Sequence, residues 1–353
     1  MRAQHRSSVP GWLRLLLSMA ALGLSLPAMV SSFTSAGLVA VATVARGAAA
    51  HAPVKTAKPM FGALGKYITS AEEAKRWAPH GRQAYRVDIP IMSSMKPIRY
   101  RTVFQAPVGL AGMRAAGVKL VLTVRNGPWN TDLPLPANGS ADAAFKAALK
   151  AMIDQLHPDY IVYGNEVDTP AKYSGTAAQF KHLMKLGHAV AASKGVKDGG
   201  AAMVGTIAAE ATYADIKATQ GKAAARKFRK ASGMGPFHQA LADKANAYID
   251  ACKAAGVDYF VWHSYFSDPS VILSIKSYVE KRFGGPSFIN ELGWRTGSAK
   301  TGTRVLDALS SSGMPIVLLY GSGIGPNAPD QLWTTAGSPT AEGKIVLAHL
   351  SNL

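Results

Sequence analysis

From residue 60 onward, short apolar runs alternate with longer stretches in which apolar residues recur every three to four positions. The runs at 60–67, 84–91, 119–125, 160–165, 202–207, 259–265, 287–291 and 315–320 are brief and rich in β-branched and aromatic residues, which predicts buried strands. Helical spacing fills 71–77, 110–116, 141–156, 177–194, 237–255, 270–282 and 301–312, and a last helix at 341–350 closes the chain. Gly117-Val118, His157-Pro158-Asp159, Gly256-Val257-Asp258 and Gly313-Met314-Pro315 precede strands and read as helix stops. Strict alternation of eight strands with eight helices predicts a single (β/α)8 TIM barrel over 60–353. An open doubly wound sheet is the alternative, but its early Gly-rich nucleotide turn is missing.

Ahead of the barrel, Arg2, Arg6 and Arg14 form a positive leader, and no charge follows until Arg46. The apolar run at 15–45 is longer than an ordinary signal core and is broken by Pro27, while Ala48-Ala49-Ala50 offers small residues for cleavage. Residues 1–50 are therefore expected to be a signal peptide or membrane anchor, with 51–59 a linker. The expected location is outside the cytoplasm, periplasmic or secreted, or membrane-anchored through 15–45 if the segment is retained.

Composition narrows the function classes. The chain has 353 residues, of which 48% are hydrophobic, enough for a sizeable core. A single cysteine, Cys252, excludes an internal disulfide framework and a zinc site of several thiolates; its place in the helical stretch 245–255 makes it a core residue. The net charge of +18 falls to about +14 without the four arginines of the first fifty residues, which still suits an acidic partner. No zinc finger, RNA-binding aromatic motif or groove-entering basic helix is present, so no nucleic-acid partner is expected.

The chemistry is expected where the strands end, because barrel enzymes carry their reactive groups at the C-terminal ends of the strands. Strand two offers Arg86 and Asp88, strand three Arg125-Asn126, and strand four Asn165-Glu166 with Asp168 beyond. Strand six ends in Trp262-His263-Ser264-Tyr265, strand seven in Asn290-Glu291-Leu292-Gly293-Trp294, and strand eight in Tyr320-Gly321. A carboxylate at the end of a buried strand is costly to desolvate unless it is paired or used. Glu166 and Glu291 together suit acid-base and nucleophilic work on a glycosidic bond.

Gly164-Asn165-Glu166, His263-Ser264-Tyr265 and Asn290-Glu291-Leu292-Gly293-Trp294 resemble the glycoside hydrolases of clan A, retaining barrels with a catalytic Glu on strands four and seven. The resemblance implies Glu166 as acid/base, Glu291 as nucleophile, Tyr265 against the nucleophile, and Asn165 on the sugar 2-hydroxyl. It implies Arg86 beneath the nucleophile and neighbours that keep Glu166 protonated. Where many members carry Trp on strand eight, this chain has Tyr320, with Trp333 beyond. Trp129, Trp294 and Trp333 are expected to stack on sugars, with His263 as a substrate contact or a core residue.

The remaining features have plainer readings. Asp168 is expected to cap the following helix. Arg125 and Asn126 either hold the third loop or serve the site. Gly321-Ser322-Gly323-Ile324-Gly325 is a weak phosphate-loop signal. Lys222, Arg226, Lys227, Arg229 and Lys230 form a solvated helix or a basic wall for an anionic glycan. The expectation is a retaining glycosidase needing neither cofactor nor metal, acting on an extracytoplasmic polysaccharide or oligosaccharide. The alternatives are a transglycosylase using the same glutamates, a glycan-binding barrel that does not cut, or a phosphate-binding barrel enzyme.

Overall fold

The computed structural model describes residues 58–64, 83–95, 98–107, 109–127, 132–136, 139–169, 172–204, 207–231, 236–294, 298–320 and 339–353. The expected signal or anchor at 1–50, the helix at 71–77, Trp129, the glycine run at 321–325 and Trp333 lie outside them. Among the described residues no helix is long and apolar enough to cross a membrane.

Eight parallel strands close into a barrel. In chain order they are β1 (Met60–Leu64), β2 (Gln83–Pro90), β5 (Lys119–Arg125), β6 (Tyr160–Tyr163), β7 (Lys197–Val204), β8 (Tyr259–Ser264), β9 (Ser287–Leu292) and β10 (Ile316–Leu319). Each pairs with its sequence neighbours, and β1 closes on β10. A short antiparallel hairpin, β3 (Met92–Met95) and β4 (Ile98–Tyr100), follows β2. The helices are α1 (Leu110–Ala115), α2 (Gly139–Leu156), α3 (Ala177–Ser193), α4 (Ala208–Thr219), α5 (Gly221–Ala231), α6 (Pro236–Ala255), α7 (Pro269–Phe283), α8 (Ala299–Ser310) and α9 (Ala341–Asn352).

Period-2 alternation sorts the strand residues into two cores. Ala84, Val121, Val162, Val261, Phe288, Ile316 and Leu318 face inward and fill the barrel floor. Their neighbours Tyr85, Leu120, Leu122, Ile161, Phe260, Ile289 and Val317 face outward into the layer under the helices. Two and four residues further up the same strands, the inward positions turn polar: Arg86 and Asp88 above Ala84, Thr123 and Arg125 above Val121, His263 above Val261. The site is thus a polar layer resting on an apolar plug.

The sequence expectation is shifted at two places. The fifth barrel strand begins at Lys197, five residues before the predicted start. Its first half, Lys197-Asp198-Gly199-Gly200, shows no apolar run because two polar residues are followed by glycines with no room for a side chain: a Cβ on Gly199 would collide with Val261, and one on Gly200 with Met184 of α3 and Cys252 of α6. The connection from β7 to β8 also holds two helices, α4 and α5, ahead of the barrel helix α6. Cys252 lies in the core as expected.

Candidate functional site

Arg86 is the centre of the polar layer. It is wholly buried, and its guanidinium donates in every direction: Nη1 to Glu291 Oε1 at 2.8 Å, Nη2 to Asn165 Oδ1 at 2.7 Å, and Nε to Thr123 Oγ1 at 2.8 Å. Asp88 lies 2.9 Å from Nη2 as a second counter-charge. Burial disfavours the guanidinium charge, but Asp88 and Glu291 outweigh it and raise the pKa of Arg86 further. The planar fork suits this position, because one lysine could not serve strands β5 and β9 and the Asn165 side chain at once.

Glu291 reaches the layer through an irregularity. Strict alternation from the inward Phe288 would turn Glu291 outward. The register of β9 slips on both sides: Trp262 pairs with Ile289 but His263 with Glu291, and Val317 pairs with Ile289 but Leu319 with Leu292. The extra residue is Asn290, and this bulge turns Glu291 into the barrel mouth. Its second oxygen, Oε2, accepts from the Tyr265 hydroxyl at 2.5 Å. Burial and the adjacent Glu291 carboxylate push the Tyr265 phenol well above its ordinary pKa, so it stays a donor.

Glu166 stands on a strained turn. Beyond β6 the chain passes through Gly164 at φ +74° and Glu166 at φ +53°, the latter a left-handed conformation uncommon outside glycine. Gly164 is required there, because a Cβ would meet Val167 Cγ1 at 2.5 Å. His263 Nδ1 lies 3.3 Å from Glu166 Oε1 and 3.2 Å from Glu291 Oε2, so one ring nitrogen bridges the two carboxylates. One oxygen of each glutamate and the ring nitrogen all lie within 4.8 Å of one another.

The electrostatics correct one expectation. Burial raises the pKa of Glu166, but the hydrogen bond and charge of His263, with Lys172 and Arg86 behind them, carry it below its ordinary value. Lys172 Nζ is 4.0 Å from Glu166 Oε2. The neighbours of Glu166 therefore favour the carboxylate, and do not keep it protonated.

Of the other predicted residues, Tyr320 meets Tyr265 edge to face with ring centroids 5.8 Å apart. Trp294 does not line the site. It is 4% exposed, and a Cβ on Gly302 of α8 would collide with its indole, so it is a core residue with no face free for a sugar. Asp168 does not cap the next helix; Thr176 does, in a capping box with Gln179. Arg125 and Asn126 hold the third loop: Arg125 Nε donates to Asp132 Oδ2 at 2.8 Å and the Asn126 amide to Asp132 Oδ1 at 2.8 Å. The sequence reading assigned nothing to Asp132, a lone acid in a polar loop, and only its contacts single it out.

Among the described residues two clusters have the composition of a metal site. In the first, Glu166, His263 and Glu291, both oxygens of Glu291 already accept from Arg86 and Tyr265. The buried guanidinium beside it disfavours a further cation. The second, His188, Asp198 and Asp258, lies at the opposite face, where Asp198 accepts from Tyr163 and the Asp258 amide, and Asp258 from Lys197 and the Asp198 amide. Those bonds tie the entry of β7 to that of β8.

No family model matches the chain, and no curated protein matches it. Among solved structures it is similar to a GH128 (subgroup II) endo-β-1,3-glucanase from Sorangium cellulosum, at 16% identity and TM-score 0.51, covering 82% of this chain and 98% of that one. It is similar to the glycoside hydrolase family 30 subfamily 8 xylanase Xyn30A from Clostridium acetobutylicum, at 16% identity and TM-score 0.49, over 87% of this chain and 73% of that one. A GH128 (subgroup VII) oligosaccharide-binding protein from Trichoderma gamsii is similar at 14% identity and TM-score 0.48, over 86% and 98%. The fold expected from the sequence is met: the chain has a closed eight-stranded parallel (β/α) barrel, the fold it shares with the Sorangium cellulosum structure.

Proposed function

We propose that this protein is a retaining glycoside hydrolase that cuts a polysaccharide or oligosaccharide outside the cytoplasm. The observation that carries this reading is the pair Glu166 and Glu291, with oxygens within 4.8 Å, at the C-terminal mouth of the barrel. Retaining enzymes hold their carboxyls about 5–5.5 Å apart, whereas inverting ones leave about 6.5–9.5 Å for a water. Glu291 has the surroundings of a nucleophile, since Arg86 and Tyr265 both donate to it.

In the first step a Glu291 oxygen attacks the anomeric carbon as the glycosidic bond breaks, and Glu166 gives its proton to the leaving oxygen. In the second, Glu166 takes a proton from water, the hydroxide adds to the anomeric carbon, and the bond to Glu291 breaks. Asn165 presents its amide to the sugar edge with its carbonyl fixed by Arg86. Glu166 must be protonated before the first step. Burial is already the largest single influence on it and acts upward. A sugar seated between the carboxylates deepens that burial and screens Glu166 from His263, the direction an acid requires. A sugar acceptor in place of water makes the same machinery a transglycosylase.

The carboxylate-favouring surroundings of Glu166 support one other reading, a barrel that binds glycan without cutting it. Laminarin, a β-1,3-glucan, comes first in a panel of neutral and acidic polysaccharides tested beside Glu166→Gln and Glu291→Gln. Wild-type cleavage with retained anomeric configuration, lost in both variants, is the expected result. Binding without cleavage would replace catalysis with recognition. The export reading rests on the leader at 1–50, and N-terminal sequencing of protein recovered outside the cytoplasm tests it.

The substrate reading extends to charge. Helix α5 carries Lys222, Arg226, Lys227, Arg229 and Lys230, all exposed, and no acid. Its buried face is Ala225 and Phe228. Arg229 donates to Gln239 in the early turns of α6 at 2.8 Å, and α6 returns the chain to the N-terminal end of β8. The early turns of α6 therefore lie toward the catalytic mouth, and α5 with them. With Lys172 beside Glu166, these cations suit an anionic glycan.

A further inference from the structure

Asp132 stands outside the chemistry just described, yet both its side chain and its backbone tie it to the loops after β5 and β6. Its carboxylate is 2% exposed. Oδ2 accepts from Arg125 Nε at 2.8 Å and from the Asn165 amide at 3.2 Å, and Oδ1 accepts from the Asn126 amide at 2.8 Å. Its backbone also joins the two loops. The Asp132 amide donates to Lys172 O at 2.5 Å, the Ser174 amide donates to Asp132 O at 3.4 Å, and Asp132 forms a parallel bridge with Tyr173.

These contacts close a circuit. Asp132 pairs with Arg125, and Arg125 Nη1 lies 3.5 Å from Asp88 Oδ2. Asp88 pairs with Arg86, Arg86 donates to Asn165 Oδ1, and the Asn165 amide returns to Asp132. The circuit fixes Asn165 from both ends, at its side chain by Arg86 and at its amide by Asp132. The next residue is Glu166, whose left-handed backbone persists only where its surroundings hold it.

We propose that Asp132 is a positioning residue for Glu166: as a carboxylate it anchors the Asn165 amide and thereby holds the strained turn that aims Glu166 at Glu291. The inference rests on the glycosidase reading for its effect on turnover, but its structural half stands alone. The charged and titratable groups facing Asp132 are Arg125 from β5, the Tyr173 phenol from the loop after β6, and Asp88 from β2 across Arg125. Asn126 and Asn165 supply neutral donors. Burial pushes the Asp132 carboxyl up to about 6 against the pull of Arg125 and these amides. A proton gained there weakens the ion pair and the hydrogen bond to Asn165, the contacts that pull this carboxyl down. The hold on the turn therefore loosens locally on the acid side, even though the raised pKa makes protonation favour the folded chain as a whole.

Amide hydrogen exchange in the full-length protein tests the structural half without any substrate. In Asp132→Asn, exchange at Asn165, corrected for its intrinsic rate, is expected to accelerate by about tenfold or more while β9 is unchanged. In the wild type the same acceleration is expected as pH falls through about 6. On a polysaccharide the wild type cuts, Asp132→Asn is expected to lose about tenfold or more in kcat at nearly constant KM, and to lack the acid limb near pH 6. Unaltered Asn165 protection in the variant, or wild-type kcat with the acid limb intact, overturns the proposal. If the variant does not fold, the wild-type exchange decides, and protection constant across pH overturns it. If the wild type cuts no glycan, the glycosidase reading fails while the exchange result still judges the role of Asp132.

Discussion

Arg86 and Glu291, 205 residues apart in the chain, meet at 2.8 Å beneath the barrel mouth, and Arg86 is wholly buried. The same guanidinium holds Asn165, so one side chain sets the position of both halves of the site. Its removal takes the guanidinium from the buried Glu291 and leaves Asp88 only the 3.5 Å contact with Arg125.

Arg86→Met is accordingly expected to cost about 3–5 kcal/mol of stability, the usual penalty for breaking a buried pair from one side. Arg86→Lys keeps the charge but loses the fork, so it should fold and lose about a hundredfold in kcat. Denaturant midpoints and single-turnover rates of both variants check this. A lysine variant with wild-type turnover would show that charge alone suffices.

His263 is placed to govern the proton of Glu166. A carboxyl with a depressed folded-state pKa contributes stability that is present above its unfolded value and lost as pH falls through the folded one. Glu166 is such a group, and His263 is the strongest of the influences acting downward on it. In His263→Gln the upward influence of burial is left with only Lys172 and Arg86 against it. Glu166 should then titrate at higher pH, its stabilising contribution near neutrality should shrink, and the basic limb of kcat/KM should move upward. A carbon-13 titration of the Glu166 carboxyl in both proteins reads this directly, and an unmoved or lower midpoint in the variant would refute the assignment.

Trp294 offers a test that separates packing from recognition. Gly302→Ala presses a methyl group into the indole, and overpacking of this kind costs about 1–3 kcal/mol. Trp294→Leu should cost about 3 kcal/mol through the cavity it leaves. Neither should alter affinity for a glycan. Thermal melts beside binding titrations distinguish the two roles, since a sugar platform would lose affinity with little loss of stability.

What could be read in the sequence follows from where side chains report their surroundings. Strand β5 matches 119–125 because Leu120, Val121 and Leu122 are apolar on both faces of the sheet. The strand-end motifs placed Asn165, Glu166, His263, Tyr265, Glu291 and Arg86, which the fold brings together. The start of β7 was illegible because close packing against Met184 and Cys252 replaced its apolar pattern with glycine. Trp294 was misread because its spacing from Glu291 does not reveal that β9 ends by turning it toward α8. The protonation of Glu166 was misread for a related reason: His263 and Lys172 approach it only in three dimensions. Asp132 had no motif at all, and its weight comes from contacts that join the end of β5 to the segment after β6.

The basic helix α5 yields the last prediction. Lys222 and Arg226, and Arg226 and Lys230, stand four residues apart on one helix, where like charges cost about 0.2–0.5 kcal/mol per pair. Arg229 is partly used, lying 5.5 Å from the Tyr213 ring centroid and donating to Gln239. The other four are not needed for packing, since Ala225 and Phe228 form the buried face. Replacing Lys222, Arg226, Lys227 and Lys230 with Ser should therefore leave the melting temperature unchanged or slightly higher. Affinity for polygalacturonate should fall by about tenfold or more between about 0.05 and 0.5 M salt in the wild type, as screening shortens the reach of these charges. The Ser variant should bind weakly at both, with laminarin binding unaffected. Salt-independent affinity, equal for acidic and neutral chains, would leave α5 as a solvated face. Binding to vesicles of anionic lipid without binding to polygalacturonate would assign the helix to a membrane surface instead, because the same unpaired cations would then be answering lipid phosphate.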